Sequence, residues 1–252
     1  MNLRDTYRIE QEKWDGLAAR QRADLLIAPD EDFAQMVRQS SLMVGVGDFL
    51  GDIAGLHVLD YGCGLGVTTT LLAKSGAQVS AFDLSPVSVS IARERARVNG
   101  VADRVELTVA AGEQLPYASE SFDAVFGKAI LHHLNVEMGC PELHRVLKPG
   151  GKAVFVEPMG MNPLLNFVRA HVPYPSKKPR GADVPLTYRE IHAWGKPFSQ
   201  FWYREVQLLS MLERGLGFRK KLSVLRRADD WLLKNVPPLR RFCRYVVLYM
   251  IK

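Results

Sequence analysis

Cysteine and long apolar runs are both scarce in this chain. Three cysteines, Cys63, Cys140 and Cys243, lie far apart among 252 residues. An odd, scattered set makes neither a disulfide framework nor a CxxC metal pair, so no metal site is expected. A reducing cytosol is the compartment that fits, and a cytoplasmic location is the expectation. No stretch approaches the roughly 18 consecutive apolar residues that a bilayer-spanning helix needs. The opening MNLRDTYRIEQEKWD is charged and reads as no signal peptide. Internal repeats and low-complexity segments are lacking too. What remains is 47% hydrophobic and 24% charged, the balance of a globular chain with a core to bury rather than a disordered one.

Charge is unevenly spread. Residues 200–252 hold 12 Lys/Arg against 4 Asp/Glu, whereas residues 1–199 hold 21 against 23. The basic C-terminal quarter fits a solvated face, an acidic partner, an anionic membrane surface or nucleic acid.

Residues 5–27 and 30–50 read as helical. HVLDYG is a short apolar run ending in Asp60 and a glycine-rich turn, the mark of a buried strand. TTTLLAKSG follows as a helix stopped at Gly76. QVSAFDLS is a second strand ending in Asp83. Ser85 then Pro86 make a helix start, a hydroxyl cap before a first-turn proline. RVELTVAAG, SFDAVFGKAIL and KAVFVEP are the third to fifth strands, with CPELHRVLKPGG as a helix stopped at Pro149-Gly150-Gly151. Alternation through 57–157 predicts βαβ units and a parallel sheet covered on both faces. Residues 158–204 break the pattern and are too long for a simple connection. EVQLLSMLERGLG reads as a helix, FRKKLSVLR as a sixth strand and RYVVLYMIK as a last, buried strand.

The sharpest chemical signal is Asp60-Tyr61-Gly62-Cys63-Gly64-Leu65-Gly66 between a strand and a helix. Alternating glycines let the backbone turn tightly and approach a ligand. Asp83, at the tip of the next strand, is placed to accept hydrogen bonds from a ribose diol. The spacing is G-x-G-x-G, not the dinucleotide G-x-G-x-x-G. An acid at Asp60 suits an ammonium-bearing ligand better than a pyrophosphate, which wants the bare helix N-terminus. S-adenosylmethionine carries both an ammonium and a sulfonium.

Five blocks in order, HVLDYGCGLG, VSAFDLSPVSVSIARERA, AAGEQLPYASESFDAVF, LHHL and ELHRVLKPGG, resemble the class I S-adenosylmethionine-dependent methyltransferases, closest to the type 11 methyltransferase-domain group. The resemblance covers about residues 55–157. It implies a Rossmann-like, doubly wound α/β fold with seven strands ordered 3-2-1-4-5-7-6, mostly parallel with an antiparallel last strand. N-terminal helices and a helical or loop insertion after the fifth strand would complete it. The divisions expected are 1–50 as an N-terminal helical lid, 51–157 as the cofactor-binding core and 158–204 as a substrate-pocket insertion. Residues 205–252 would give a C-terminal helix and the last two strands. By the same resemblance Asp60, Gly62, Gly64 and Gly66 line the methionine and ribose parts of S-adenosylmethionine. Asp83 holds the ribose hydroxyls, Leu84 lies against the adenine, Gly112 and Glu113 lie beside it, and Lys128 sits near the methionine portion. Ala111 stands where the family usually has an aspartate for the adenine amino group.

Candidate catalytic residues follow the fourth and fifth strands. His132 or His133 could take a proton from an acceptor, and Glu157 would point into the substrate cleft as base or stabiliser. Tyr7 and Trp14 read either as lid or as packing residues. Trp194, Phe198, Phe201 and Trp202 suggest an apolar or aromatic acceptor pocket. Lys177, Lys178 and Arg180 read as a solvated loop or an anion contact. Cys63 occupies a position that demands only a small residue. The basic segment WLLKNVPPLRRFCRYVVLYMIK could touch a membrane weakly, unless its second half is a strand.

The expected function is methyl transfer to a small-molecule acceptor. Three alternatives stay open: a lipid-like or anionic acceptor at a membrane surface, a non-catalytic S-adenosylmethionine-binding protein, and a nicotinamide-dependent oxidoreductase, which the glycine spacing opposes. Nucleic acid as substrate is disfavoured, because no N/D-PP-Y-like tetrapeptide follows the fourth strand.

Overall fold

The computed structural model describes residues 3–20, 24–171, 184–212 and 223–252. Its centre is a seven-stranded sheet of β1 (His57–Tyr61), β2 (Gln78–Asp83), β3 (Val105–Val109), β4 (Phe122–Lys128), β5 (Leu147–Pro158), β6 (Gln200–Val206) and β7 (Tyr245–Ile251). The spatial order is β3-β2-β1-β4-β5-β7-β6. The first five strands pair in parallel. β7 inserts antiparallel between β5 and β6, from Lys152↔Ile251 to Pro158↔Tyr245 on one side and Gln200↔Ile251 to Val206↔Tyr245 on the other.

Helices flank the sheet: α1 (Leu3–Arg20), α2 (Phe33–Gln39), α3 (Val46–Leu50), α4 (Val67–Lys74), α5 (Pro86–Val98), α6 (Val136–Val146), α7 (Pro163–His171), α8 (Tyr188–Gly195) and α9 (Ser223–Asn235). Central strands are apolar on consecutive positions because both faces are covered. Val58, Leu59, Val125, Phe126, Val154 and Phe155 are all 0% exposed. Alternate positions feed two cores. Val58, Phe126 and Val154 pack with α2, α3 and α4 residues; Leu59, Val125 and Phe155 pack with Leu143 of α6 and Ile191 of α8. Each such side chain contributes about 1.5–3 kcal/mol by leaving water.

Several expectations need correction. The sixth strand is Gln200–Val206, beginning within the stretch assigned above to the insertion, so that insertion ends by residue 199. Its pattern is exposed and half-buried by turns, as on an edge strand, and carries no continuous apolar run to signal it. FRKKLSVLR is not the sixth strand: its described part opens α9, and the rest lies outside the described residues. EVQLLSMLERGLG is not one helix, since Glu205 and Val206 close β6 and 207–211 form a turn. The 30–50 stretch is broken into α2 and α3. Pro149-Gly150-Gly151 lies within β5, and α6 ends before it at Val146. RYVVLYMIK is the buried strand β7, so only the part before it can face a membrane.

Candidate active site

The carboxyl ends of β1, β2, β4 and β5 meet at one edge of the sheet. After β1 the chain turns through Gly62 (φ 76°), Gly64 (φ 51°) and Gly66 (φ 75°), all left-handed. Two of them serve close packing. A Cβ on Gly62 would stand 2.7 Å from Ile130 Cγ1, and one on Gly66 would stand 2.6 Å from Ala92 Cβ of α5. Gly64 differs: nothing lies within 4 Å of the place its Cβ would take. The loop is therefore packed at both ends and open at its middle.

Asp83 holds that loop in shape. Its Oδ2 accepts the Gly64 N–H at 2.9 Å and its Oδ1 the Ser85 N–H at 3.0 Å. Burial nonetheless raises its pKa, and those N–H bonds offset part of the rise. Asp60 is buried at 2% exposure, with Oδ2 accepting from the Thr69 hydroxyl at 2.6 Å. It thus meets the first turn of α4 while facing the loop. Burial pushes its pKa up to about 7, the Thr69 bond offsetting part of the rise and the charge of Asp83 adding to it. A carboxylate so desolvated gains from a cationic partner.

On the far side, the Tyr61 hydroxyl donates to Gly112 O at 2.6 Å and fixes the turn after β3. Glu113 is 8% exposed, and its Oε1 accepts the Asn135 N–H at 3.0 Å. Ala111 makes a bridge to Gln114 that closes this turn. Leu84 is half-buried beside Asp83, and Lys128 ends β4 exposed. Cys63 is buried, and its thiol pKa is pushed up by that burial, so no reactivity is implied.

α1 lies across this edge. Asp15 Oδ1 accepts from the Ser85 hydroxyl and from the Val87 N–H at 3.3 Å, placing a carboxylate at the N-terminus of α5. The Trp14 ring meets the His133 ring edge-on at 5.2 Å. The Tyr7 hydroxyl is buried beside the Glu113 carboxylate. Burial and the Glu113 charge push it to about 12. Arg95, 2% exposed, joins Leu65 O of the glycine loop (2.8 Å) to Asp24 O beyond α1 (2.8 Å).

The three catalytic candidates come together, but not as expected. Glu157 is 0% exposed and does not open into a cleft. Its Oε1 accepts the Ile130 and Leu131 N–H groups at 2.8 and 2.9 Å, and its Oε2 lies 2.7 Å from His132 Nδ1. The carboxylate is consumed in holding the loop and the imidazole. His133 lies against His132, ring centroids 4.0 Å apart. The aromatic acceptor pocket fails as drawn: Trp194 (1% exposed) and Phe198 (7%) belong to the core, Phe201 packs against Gly195, and Trp202 stacks on Tyr249. Lys177, Lys178 and Arg180 lie outside the described residues. Sequence reasoning missed Thr69, Asp15 and Arg95. Thr69 was within reach, being one turn into the helix after the acid; the others act over about 70 positions of sequence separation.

The cradle fits S-adenosylmethionine. Gly64 leaves space where a side chain would intrude, Asp83 offers carboxylate oxygens at the tip of β2, and Asp60 is a buried acid short of a cation. Such a fold and site define a Rossmann-like domain for an adenosyl cofactor. Comparison with known proteins agrees. The family model described as "Methyltransferase domain" matches residues 59–155. Demethylmenaquinone methyltransferase of Tropheryma whipplei (strain Twist) is 37% identical over 183 residues, 69% of this chain and 72% of that protein. Methyltransferase GfsG of Streptomyces halstedii is 38% identical over 106 residues, 41% of this chain but only 38% of that protein's length. Among solved structures, geranyl diphosphate C-methyltransferase from Streptomyces coelicolor A3(2), in complex with Mg2+, geranyl diphosphate and S-adenosyl-L-homocysteine, superposes with a TM-score of 0.65 at 17% identity over 97% of each chain. The chain belongs to the class I S-adenosylmethionine-dependent methyltransferases, and it is an enzyme of that family.

Proposed function

We propose that this enzyme methylates a partly apolar small molecule at an atom that must lose a proton, a hydroxyl oxygen or an activated carbon. The observation that carries the reading is the Glu157–His132 pair at 2.7 Å on the same sheet edge as the glycine loop. S-adenosylmethionine, when bound, supplies an electrophilic methyl group on sulfur. Asp60, the 62–66 backbone and Asp83 would hold it, with Leu84, Gly112 and Glu113 toward the adenine and Lys128 toward the methionine end. Glu157 accepts at Nδ1, so the Nδ1–H tautomer of His132 is favoured and Nε2 becomes the basic nitrogen. His132, whose side chain is 2% exposed, would take the acceptor's proton once the acceptor has displaced what now covers the ring, and the adjacent His133 ring would limit how the acceptor approaches. Glu157 is a positioning residue.

An apolar acceptor is supported by the names of the relatives, one acting on demethylmenaquinone and one solved with geranyl diphosphate. α1, through Trp14 and Tyr7, would cover the bound pair and exclude water. The buried free cysteines support a reducing, cytoplasmic setting.

Glu157→Gln tests the reading. A glutamine carbonyl can still accept from Ile130 and Leu131, but its NH2 faces His132 Nδ1 and favours the other tautomer. Transfer from labelled S-adenosylmethionine to quinol or phenol acceptors should fall roughly 100-fold in kcat, with S-adenosylhomocysteine affinity unchanged by calorimetry. Equal turnover in the variant would remove His132 from the reaction.

A further inference from the structure

α7 departs from the usual arrangement of an amphipathic helix. Its apolar row at i, i+3 and i+4 points outward: Leu164 is 67% exposed, Phe167 59% and Val168 36%. One turn on, His171 stacks on Phe167 with ring centroids 4.4 Å apart. α9 repeats the departure at i and i+7, with Val224 70% and Trp231 62% exposed. Single exposed apolar residues are ordinary, but two outward-facing rows at helical spacing are not.

The two helices share one end of the molecule. Asn162, whose side chain caps α7 through Leu164 and Leu165, donates to Phe242 O at 2.6 Å. Arg240 Nε donates to Leu233 O of α9 at 3.0 Å, so the turn Pro237–Phe242 joins α7 to α9. All of this borders the ends of β5 and β6 and the start of β7, the sheet edge that carries the active site. Exposed cations accompany the apolar rows: Arg227 and Lys234 on α9, Arg240 and Arg241 on the turn. No helix among the described residues is long and apolar enough to cross a membrane.

We infer that the outward rows of α7 and α9, with the basic turn 237–242, form a docking surface for an anionic lipid bilayer. Aromatic and aliphatic side chains enter the headgroup boundary while Arg and Lys meet acidic headgroups. Arg227, Lys234, Arg240 and Arg241, exposed beside these rows, supply positive charge of the kind that such a surface requires. The inference stands apart from the acceptor assigned above, because it concerns where the enzyme sits and not what it methylates.

The test is flotation of the full chain with phosphatidylcholine vesicles, with and without about 30% phosphatidylglycerol. Binding is expected only to the anionic vesicles and should weaken in about 0.5 M NaCl. Phe167→Ser with Trp231→Ser should weaken it roughly tenfold, and Arg240→Glu with Arg241→Glu should do the same. Both double variants should keep wild-type S-adenosylhomocysteine affinity, which reports an intact core. Failure of the wild-type chain to float with anionic vesicles overturns the inference. So does unchanged binding by the folded double variants, or a dimer that Trp231→Ser dissociates while vesicles stay unbound.

Discussion

An alanine at Gly66 would set its Cβ 2.6 Å from Ala92 Cβ and 2.7 Å from Ala92 Cα, against the backbone of α5. It would also hold a left-handed φ of 75°. The conformation costs about 1–2 kcal/mol and the overlap about 1–3 more, because a helix backbone and not a flexible side-chain tip must give way. A loss of about 4 kcal/mol corresponds to a fall in melting temperature of roughly 10 °C for a chain of this size. Gly64→Ala is the same chemical change two residues earlier. It carries the φ penalty alone, about 1–2 kcal/mol, since open space surrounds its Cβ. That space is where the cofactor would lie, so its cost should appear as at least about a tenfold loss, about 1.4 kcal/mol, in S-adenosylhomocysteine affinity. Thermal melts and calorimetry on both variants separate the effects. If Gly64→Ala binds as tightly as wild type, the ligand does not pass over the middle of the loop and the cradle has been misplaced. If Gly66→Ala melts with wild type, the loop is not clamped to α5.

Asp83→Asn must turn an NH2 toward either the Gly64 or the Ser85 N–H, both now bonded to carboxylate oxygens. Stability should fall by about 1–3 kcal/mol in denaturant melts, with S-adenosylhomocysteine affinity falling as well. Asp60, with its pKa near 7, is largely protonated in the free enzyme below neutrality, so affinity for S-adenosylmethionine should rise with pH up to about 7 and then level off by calorimetry. The same shift acts oppositely on the free fold: the native state keeps a proton that the unfolded chain releases near pH 3.8, so this group's contribution to stability declines as pH climbs from there to about 7. Tyr61→Phe removes the 2.6 Å bond to Gly112 O and leaves a buried carbonyl unsatisfied, for a loss of about 1–3 kcal/mol in chemical denaturation.

The core of the fold was legible because its signals are local. Short apolar runs at regular spacing, separated by helix starts and stops such as the glycine turn 62–66, Ser85-Pro86 and Asn99-Gly100, read as strands of a covered sheet, and the order of the blocks implied its topology. Ser85 and Pro86 marked the start of α5, and the Ser85 hydroxyl accepts the Ser88 N–H at 3.0 Å as a cap should. Legibility failed where an element is defined by its neighbour. β6 is an edge strand whose exposed side carries Gln200, Trp202 and Arg204, so its alternation mixes with the composition of the insertion before it. Its position depends on pairing with β7, 45 residues later, which no local pattern carries. The aromatic residues of 194–202 misled for a related reason. Composition says that they are apolar; only the sheet decides that Trp194 faces the core and Trp202 the other side.

At the active site the division falls between presence and role. Glu157, His132 and His133 were each identifiable from their places after strands, yet the division of labour among them is a matter of which atoms are consumed. A carboxylate that accepts two backbone N–H groups and an imidazole has no oxygen to spare for a substrate proton, however favourable its position at the end of β5. In the proposed reaction the proton would therefore pass to the ring, with the acid setting the tautomer. The contacts of α1 follow the same logic. Ser85 caps α5 with its oxygen, gives its N–H to Asp83 and its hydroxyl proton to Asp15, so one residue ties the tip of β2, the helix start and α1 together.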